Sequence, residues 1–302
     1  MANIPIVVVN TWPITSATDA AWHILTGHSH NEGVYAEPTA LNAVVAGCTA
    51  AEEDRTVKTV GYGCCPDEDG HTTLDAMVMD GRTMEVGAVA VMPDILHATQ
   101  VAREVLLSTK HTLLAGQKAA DFARSRGFQT TSLDSPESFE FWKKWKENNC
   151  QPNFRKPGAW MPDPSTSGGP YVAVHGVSSP CIPDSHQAIA SEGNHDTIGL
   201  IALDATGSLA VGVSTTGLRH KIPGRVGDSP IPGAGGYANN EVLCLLGFWL
   251  GIGAWSGAVV ALTPKGEFGA ASVGFPNFQI SVRTQSSGEC AQIIPIPSMK
   301  AN

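Results

Sequence analysis

Charge is scarce in this chain. Only 16% of its 302 residues are charged, and acids outnumber bases 28 to 19, for a net charge of −9. That shortage of cations excludes the basic stripe of a nucleic-acid binder and the polybasic patch of a membrane-surface protein. Cysteine is sparse as well. Seven residues with no Cys-x-x-Cys pair exclude a disulfide scaffold, a zinc ribbon and a thioredoxin-like site. The odd number leaves at least one thiol unpaired within a monomer. No Asn-x-Ser/Thr sequon occurs, and the opening MANIPIVVVNTW lacks the basic start of a secretory signal. The longest apolar stretch, Leu243–Trp255, has 13 residues, against the roughly 20 of a membrane helix. It is expected as a buried segment or a chain junction. There is no fixed-period repeat, no GxxxxGK[ST] and no GxGxxG opening a helix, so no phosphate loop is indicated.

What is present is 42% hydrophobic residues together with 32 Gly and 20 Pro. This is the composition of a compact α/β or α+β protein with many turns, and the length is ample for a substantial core. The thinly charged, loop-rich surface points to an enzyme. Ile4–Val9 predicts a buried strand, and Thr15–Ser16 predicts the cap of a helix through Leu25. A second helix follows Pro38–Thr39. Thr72–Asp80 and Met84–Met92 predict a hairpin turning at Asp80–Gly81. Helices are expected over His97–Leu107, Gln117–Arg126 and Pro136–Asn148, and a short strand over His111–Ala115. Gln151–Gly193 holds seven prolines without periodicity and reads as a flexible linker. A second hairpin, TIGLIALD and SLAVGVST around Ala205–Gly207, follows at once. Gly257–Thr263, Phe268–Val273 and Phe278–Arg283 predict a strand-rich end. Two sets of apolar hairpins with helices outside predict stacked sheets.

Chemistry concentrates where the linker stops. At Asp196–Thr197 a proline-rich segment meets a buried strand. If that bond were cut, Thr197 would carry its own general base, an α-amine with a pKa around 7.7–8.0. The plainer reading is a capped loop and the start of a strand. In GRVGDSPIPGAG, residues 224–235, Arg225 and Asp228 lie three apart among glycines. A guanidinium fork takes a carboxylate and an Asp takes an ammonium, so the pair suits the two ends of an α-amino acid; a salt-bridged turn is the alternative. Thr215, in VGVSTTG, ends the strand expected beside Thr197. Trp12, in NTWP, is placed to wall a pocket or to join the core.

In order along the chain stand NTWP (10–13), VGYG (60–63), TTLDAMVMDG (72–81), HDTIG (195–199), STTG (214–217) and GRVGDSPIPGAG (224–235). Together they resemble the glycosylasparaginases of the N-terminal-nucleophile hydrolase superfamily. The likeness runs from Pro5 to about Glu241 and returns over Gly257–Thr284. HDTIG separates it from the related plant-type asparaginases and isoaspartyl peptidases. The resemblance implies an α+β fold, a four-layer αββα sandwich forming one domain over 1–302. It implies self-cleavage between Asp196 and Thr197 into an α chain, 1–196 (with the linker at 151–193), and a β chain, 197–302. Thr197 would then hydrolyse the amide between N-acetylglucosamine and asparagine in glycoprotein breakdown. Thr215 would assist it, while Arg225, Asp228, Trp12, Val226 and Gly227 would bind the substrate. No metal or organic cofactor is implied. The expected partners are a small-molecule glycosyl-asparagine and a second αβ unit in a homodimer, with no nucleic acid and no membrane. The compartment implied is the lysosome, or the cytoplasm if the chain is taken literally. A disulfide between Cys150 and Cys181 is implied by a similarly placed pair in animal members.

The chain departs from the family after Tyr237–Glu241. There the family continues into an Ala-rich helix start with a Thr-Gly-x-Gly-Asp motif that supplies oxyanion donors. Here Leu243–Trp255 stands in its place. Part of the C-terminal helical layer is therefore expected to be missing, through a splice or gene-model junction or in an impaired variant. The alternatives to a glycosylasparaginase are an asparaginase or isoaspartyl peptidase of the same superfamily, and an inactive truncated relative.

Overall fold

The structure is a computed structural model that describes residues 4–28, 37–58, 60–174, 197–250 and 256–299. In chain order the elements are β1 (Val7–Asn10), α1 (Thr15–Leu25), α2 (Ala40–Glu53), β2 (Leu74–Asp80), β3 (Val86–Met92), α3 (Ala98–Ser108), β4 (Leu113–Ala115), α4 (Gly116–Ser125) and α5 (Pro136–Glu147). There follow β5 (Trp160–Met161), β6 (Val172–Ala173), β7 (Thr197–Leu203), β8 (Leu209–Thr215), β9 (Gly236–Ala238), β10 (Cys244–Leu250), β11 (Ser256–Leu262), β12 (Phe268–Val273), β13 (Gln279–Thr284), β14 (Gln292–Pro295) and β15 (Ser298–Met299). No described helix is long and apolar enough to cross a membrane.

Eight strands form one sheet in the order β14-β13-β1-β7-β8-β2-β3-β4, antiparallel except for β3 and β4. Five form a second, β15-β12-β11-β10-β9. The near-continuous apolar runs of the sequence follow from burial of the large sheet on both faces, because strand side chains alternate. Val8, Leu200, Ala202 and Ala210 pack on α1 and α2, and Ala76, Val78 and Val89 pack on α3 and α4. The opposite set, Val7, Val9, Met77, Ile201, Val211 and Val213, meets Cys244, Leu246, Val260 and Leu262 of the second sheet. The architecture is α+β, helices on sheet on sheet. The outer face of the five-stranded sheet shows Leu245 and Val259 to solvent, each 38% exposed. No described helix packs across it.

Side-chain caps start two of the five described helices. Thr39 Oγ1 accepts from the Asn42 N–H at 3.2 Å and starts α2. Ser135 and Ser138 bond reciprocally to cap α5. α1 differs from the sequence expectation. Its cap position is Ile14 without a side-chain hydrogen bond, and Asn10 Nδ2 instead holds the Ile14 carbonyl at 3.1 Å. The run Leu243–Trp255, expected as a junction or buried segment, supplies strand β10, paired with β9 and β11. Within 151–174, β5 and β6 pair, and Arg155 both grips Glu68 and stacks on Tyr171. Residues 175–193 of the expected linker lie outside the described residues.

β3 reaches α3 at Gly87, where a Cβ would stand 2.0 Å from the Ala102 carbonyl oxygen. Backbone cannot step aside as a side-chain tip can. Gly87→Ala is therefore expected to destabilise by about 1–3 kcal/mol, the range for overpacking. A urea midpoint unchanged from the parent would show that the helix moves freely.

Candidate active site

The turn Asp204–Ser208 sets the register of the β7–β8 hairpin. Asp204 Oδ1 accepts from the Thr206 N–H at 2.9 Å and the Ser208 N–H at 3.1 Å. Its Oδ2 accepts from the Ala40 N–H at 3.0 Å, tying the turn to the start of α2. The resulting register puts Thr197 directly opposite Thr215, and Thr215 opposite Asp75 of β2. Opposed residues share a face of a sheet, so two hydroxyls and a carboxylate line up across three strands.

Thr197 Oγ1 donates to Thr215 Oγ1 at 3.2 Å and lies 3.5 Å from Ser229 Oγ. Thr215 Oγ1 also accepts from the Gly217 N–H at 2.9 Å. The Thr197 carbonyl takes the indole N–H of Trp12 at 2.7 Å. Trp12 is in turn seated edge-on against Phe278 and Phe275, with centroids at 5.5 and 6.4 Å. The residue that begins the strand is thus fixed at both its hydroxyl and its carbonyl.

Charged groups crowd behind this row. Asp75 is buried at a bulge between β2 and β3, with Oδ1 accepting from the Val91 N–H at 2.6 Å. Burial raises its pKa, against the pull of the Val91 bond and of Lys221 and Arg225. Lys221, only 2% exposed, donates from Nζ to the Thr216 carbonyl. Burial lowers its pKa, and Asp75 opposes that shift. Arg225 lies over two glycines: a Cβ at Gly227 would stand 2.9 Å from Nη1, and one at Gly217 3.2 Å. Side chains there would displace the guanidinium. Asp228 has a buried Oδ2 with no hydrogen-bond partner among the described residues, and burial raises its pKa as well. A desolvated carboxylate with an unused acceptor is suited to a cationic ligand group.

Of the residues singled out in the sequence, Thr197, Thr215 and Trp12 come together directly, and Arg225 closes on them through Gly217. Gly227 is buried with its N–H toward the Asp75 carboxylate, whereas the Val226 side chain is 41% exposed. Asp196 lies outside the described residues, as does Cys181, the expected partner of Cys150. Asp75, Lys221 and Ser229 were not singled out. Asp75 and Ser229 sit inside quoted motifs, but nothing in their spacing marks them. Among the described residues no three His, Cys, Asp or Glu side chains converge as a metal site.

The asparaginase family model matches residues 9–245. A protein of Drosophila persimilis named putative N(4)-(beta-N-acetylglucosaminyl)-L-asparaginase is 50% identical over 240 residues, 78% of this chain and 59% of that protein. A Drosophila yakuba protein of the same name is 51% identical over 237 residues, covering 78% and 58%. The Mus musculus N(4)-(beta-N-acetylglucosaminyl)-L-asparaginase is 46% identical over 237 residues, covering 77% and 64%. The chain spans about three-fifths of the length of the curated relatives it matches. The match embraces every residue of the row that Thr197 begins, and on that ground the chain belongs to the asparaginase family.

Proposed function

We propose that the chain is an amidohydrolase that cleaves the N-acetylglucosamine–asparagine bond with Thr197 as an N-terminal nucleophile. The observation that carries this reading is the Thr197 hydroxyl, bonded to Thr215 at the head of β7 and 3.5 Å from Ser229 of the loop that holds Arg225 and Asp228. The first step is internal. Thr197 Oγ1 attacks the Asp196 carbonyl, its proton passes to the departing Thr197 nitrogen, which becomes the free α-amine as the peptide becomes an ester, and water then splits the ester into the Asp196 carboxylate and the Thr197 hydroxyl. In turnover that amine takes the hydroxyl proton while Oγ1 attacks the side-chain carbonyl of the substrate asparagine. The proton passes to the departing glycosylamine, and water then hydrolyses the acyl ester to release aspartate. Arg225 holds the α-carboxylate, Asp228 the α-ammonium, and Trp12 walls the site. Val226 and Gly227 contribute backbone to the substrate loop. We read the bare face of the five-stranded sheet as the seat of the outer helices of a four-layer sandwich. A homodimer acting in a lysosome belongs to the same proposal.

The test is aspartate release from N4-(β-N-acetylglucosaminyl)-asparagine against an isoaspartyl dipeptide, with a denaturing gel for cleavage. Preference for the dipeptide would move the assignment to an isoaspartyl peptidase. A second reading, an impaired relative, draws on the end of the family match at residue 245. Losing one oxyanion donor costs about 10²–10³ in turnover, and an uncut, inactive chain would establish that reading.

Arg225→Lys keeps the charge but loses the fork. It is expected to raise KM about tenfold with little change in kcat, the worth of one charge-assisted bond. Steady-state kinetics check this, and an unchanged KM would remove Arg225 from carboxylate binding.

A further inference from the structure

We propose that Ser229 is a catalytic residue that donates a hydrogen bond to the oxygen of the Thr197 nucleophile. The inference rests on Thr197 being that nucleophile. A threonine hydroxyl has one proton, and Thr197 gives it to Thr215 Oγ1 at 3.2 Å. With that proton committed, the 3.5 Å contact to Ser229 Oγ is satisfied only with Ser229 as donor.

When the α-amine takes the Thr197 proton, Oγ1 becomes an acceptor with growing negative charge. A neutral O–H···O contact then becomes charge-assisted, shorter and stronger. The interaction is worth more as the oxygen attacks than at rest, which is the condition for accelerating the step. No bond to Ser229 forms or breaks, and its proton stays on its own oxygen throughout.

The loop is built to hold this hydroxyl. Ser229 is 1% exposed, so bulk water is kept from its place. The Ile231 N–H closes on the Asp228 carbonyl at 2.9 Å, and the Gly235 carbonyl accepts from the Gly247 N–H at 3.1 Å, bracing the loop on the second sheet. Gly235 packs so tightly that a Cβ would stand 2.5 Å from Ser229 Cα. A donor carried on braced backbone does not have to be ordered at the moment of reaction.

The experiment compares the parent chain with Ser229→Ala, Ser229→Cys and Ser229→Thr on L-aspartate β-(4-nitroanilide). This substrate reports attack by Thr197 whatever the natural leaving group. Both Ala and the near-isosteric, weakly donating Cys are expected to lower kcat about 10- to 100-fold with KM within about twofold. Thr, which keeps the hydroxyl, is expected to recover most of the rate, and melting temperatures should stay close to that of the parent. An Ala or Cys variant within about twofold of the parent in kcat overturns the proposal. So does a Thr variant no better than Ala while melting like the parent, since donation would then not be what was lost. A parent that neither splits nor releases nitroaniline overturns the nucleophile reading itself, and the role of Ser229 with it.

Discussion

Thr197→Ala is expected to give a single uncut band of 31.6 kDa, where the parent is expected to give pieces of 196 and 106 residues. Aspartate release is expected to fall about 10⁴-fold or more, as when a nucleophile is removed from a set of residues acting as a unit. Both losses follow from one atom. In the proposed mechanism Oγ1 attacks the Asp196 carbonyl during maturation and the substrate amide during turnover, and alanine lacks it along with the Cγ2 methyl. The strand should survive, because the Trp12 bond is to the Thr197 backbone carbonyl and the other backbone contacts of β7 are untouched. A folded variant that still splits would show that Thr197 is not the attacking group. Thr215→Ala is the companion control: it removes the hydroxyl neighbour while leaving Oγ1, so splitting should slow and not stop.

The second large effect is on stability, and it arises from Glu52. This α2 carboxyl is 1% exposed. Its Oε1 accepts from Ser214 Oγ at 2.7 Å, Thr99 Oγ1 at 2.6 Å and the Thr99 N–H at 3.0 Å. Its Oε2 is buried without a hydrogen-bond partner among the described residues. Desolvation pushes the pKa from 4.5 up to about 7, although those bonds pull it down, and neighbouring Glu53 adds a smaller upward push. Cys48, beside it, is buried and held as the thiol.

A carboxyl whose pKa rises on folding favours the protonated form in the folded state. Its stabilisation is therefore complete below about pH 4.5, declines as pH rises, and is gone above about 7. A shift of that size corresponds to about 3 kcal/mol. His220 slopes the other way, since burial lowers its pKa from 6.5 to about 4, so the total curve mixes several groups. The difference between the parent and Glu52→Gln isolates this one. Urea unfolding at pH 4.5, 6 and 8 should show the parent losing stability relative to the glutamine variant over that interval. Parallel curves would mean that Glu52 is already ionised in the folded chain at low pH.

Much of this site is legible in the linear sequence because its contacts are local or periodic. The hairpin around Asp204 follows from two apolar runs and a turn, and once it is drawn Thr197 must face Thr215. Arg225 and Asp228 stand out as opposite charges three apart among glycines. The stacked sheets follow from strands that are apolar on both faces. The Leu243–Trp255 run shows where this reasoning stops. Its residues are apolar at every position, so the alternation that marks a strand with one wet face is erased. Only pairing with β9 and β11 reveals that Cys244 and Leu246 face the core while Leu245 faces out.

By itself, then, the sequence determined the α+β class, the hairpin that presents Thr197, the placing of Arg225 and Asp228 on one glycine-rich loop and the kinship with asparaginases. Each rests on neighbours in the chain or on a period of two. The tertiary structure alone decided that Asp75 completes the row, that Lys221 is buried beside it, that Ser229 reaches Thr197 and that Glu52 lies under Ser214. Those groups meet across separations such as the 162 residues between Glu52 and Ser214. No local pattern encodes such a meeting, because it is fixed by which sheet faces and helices come to share a core.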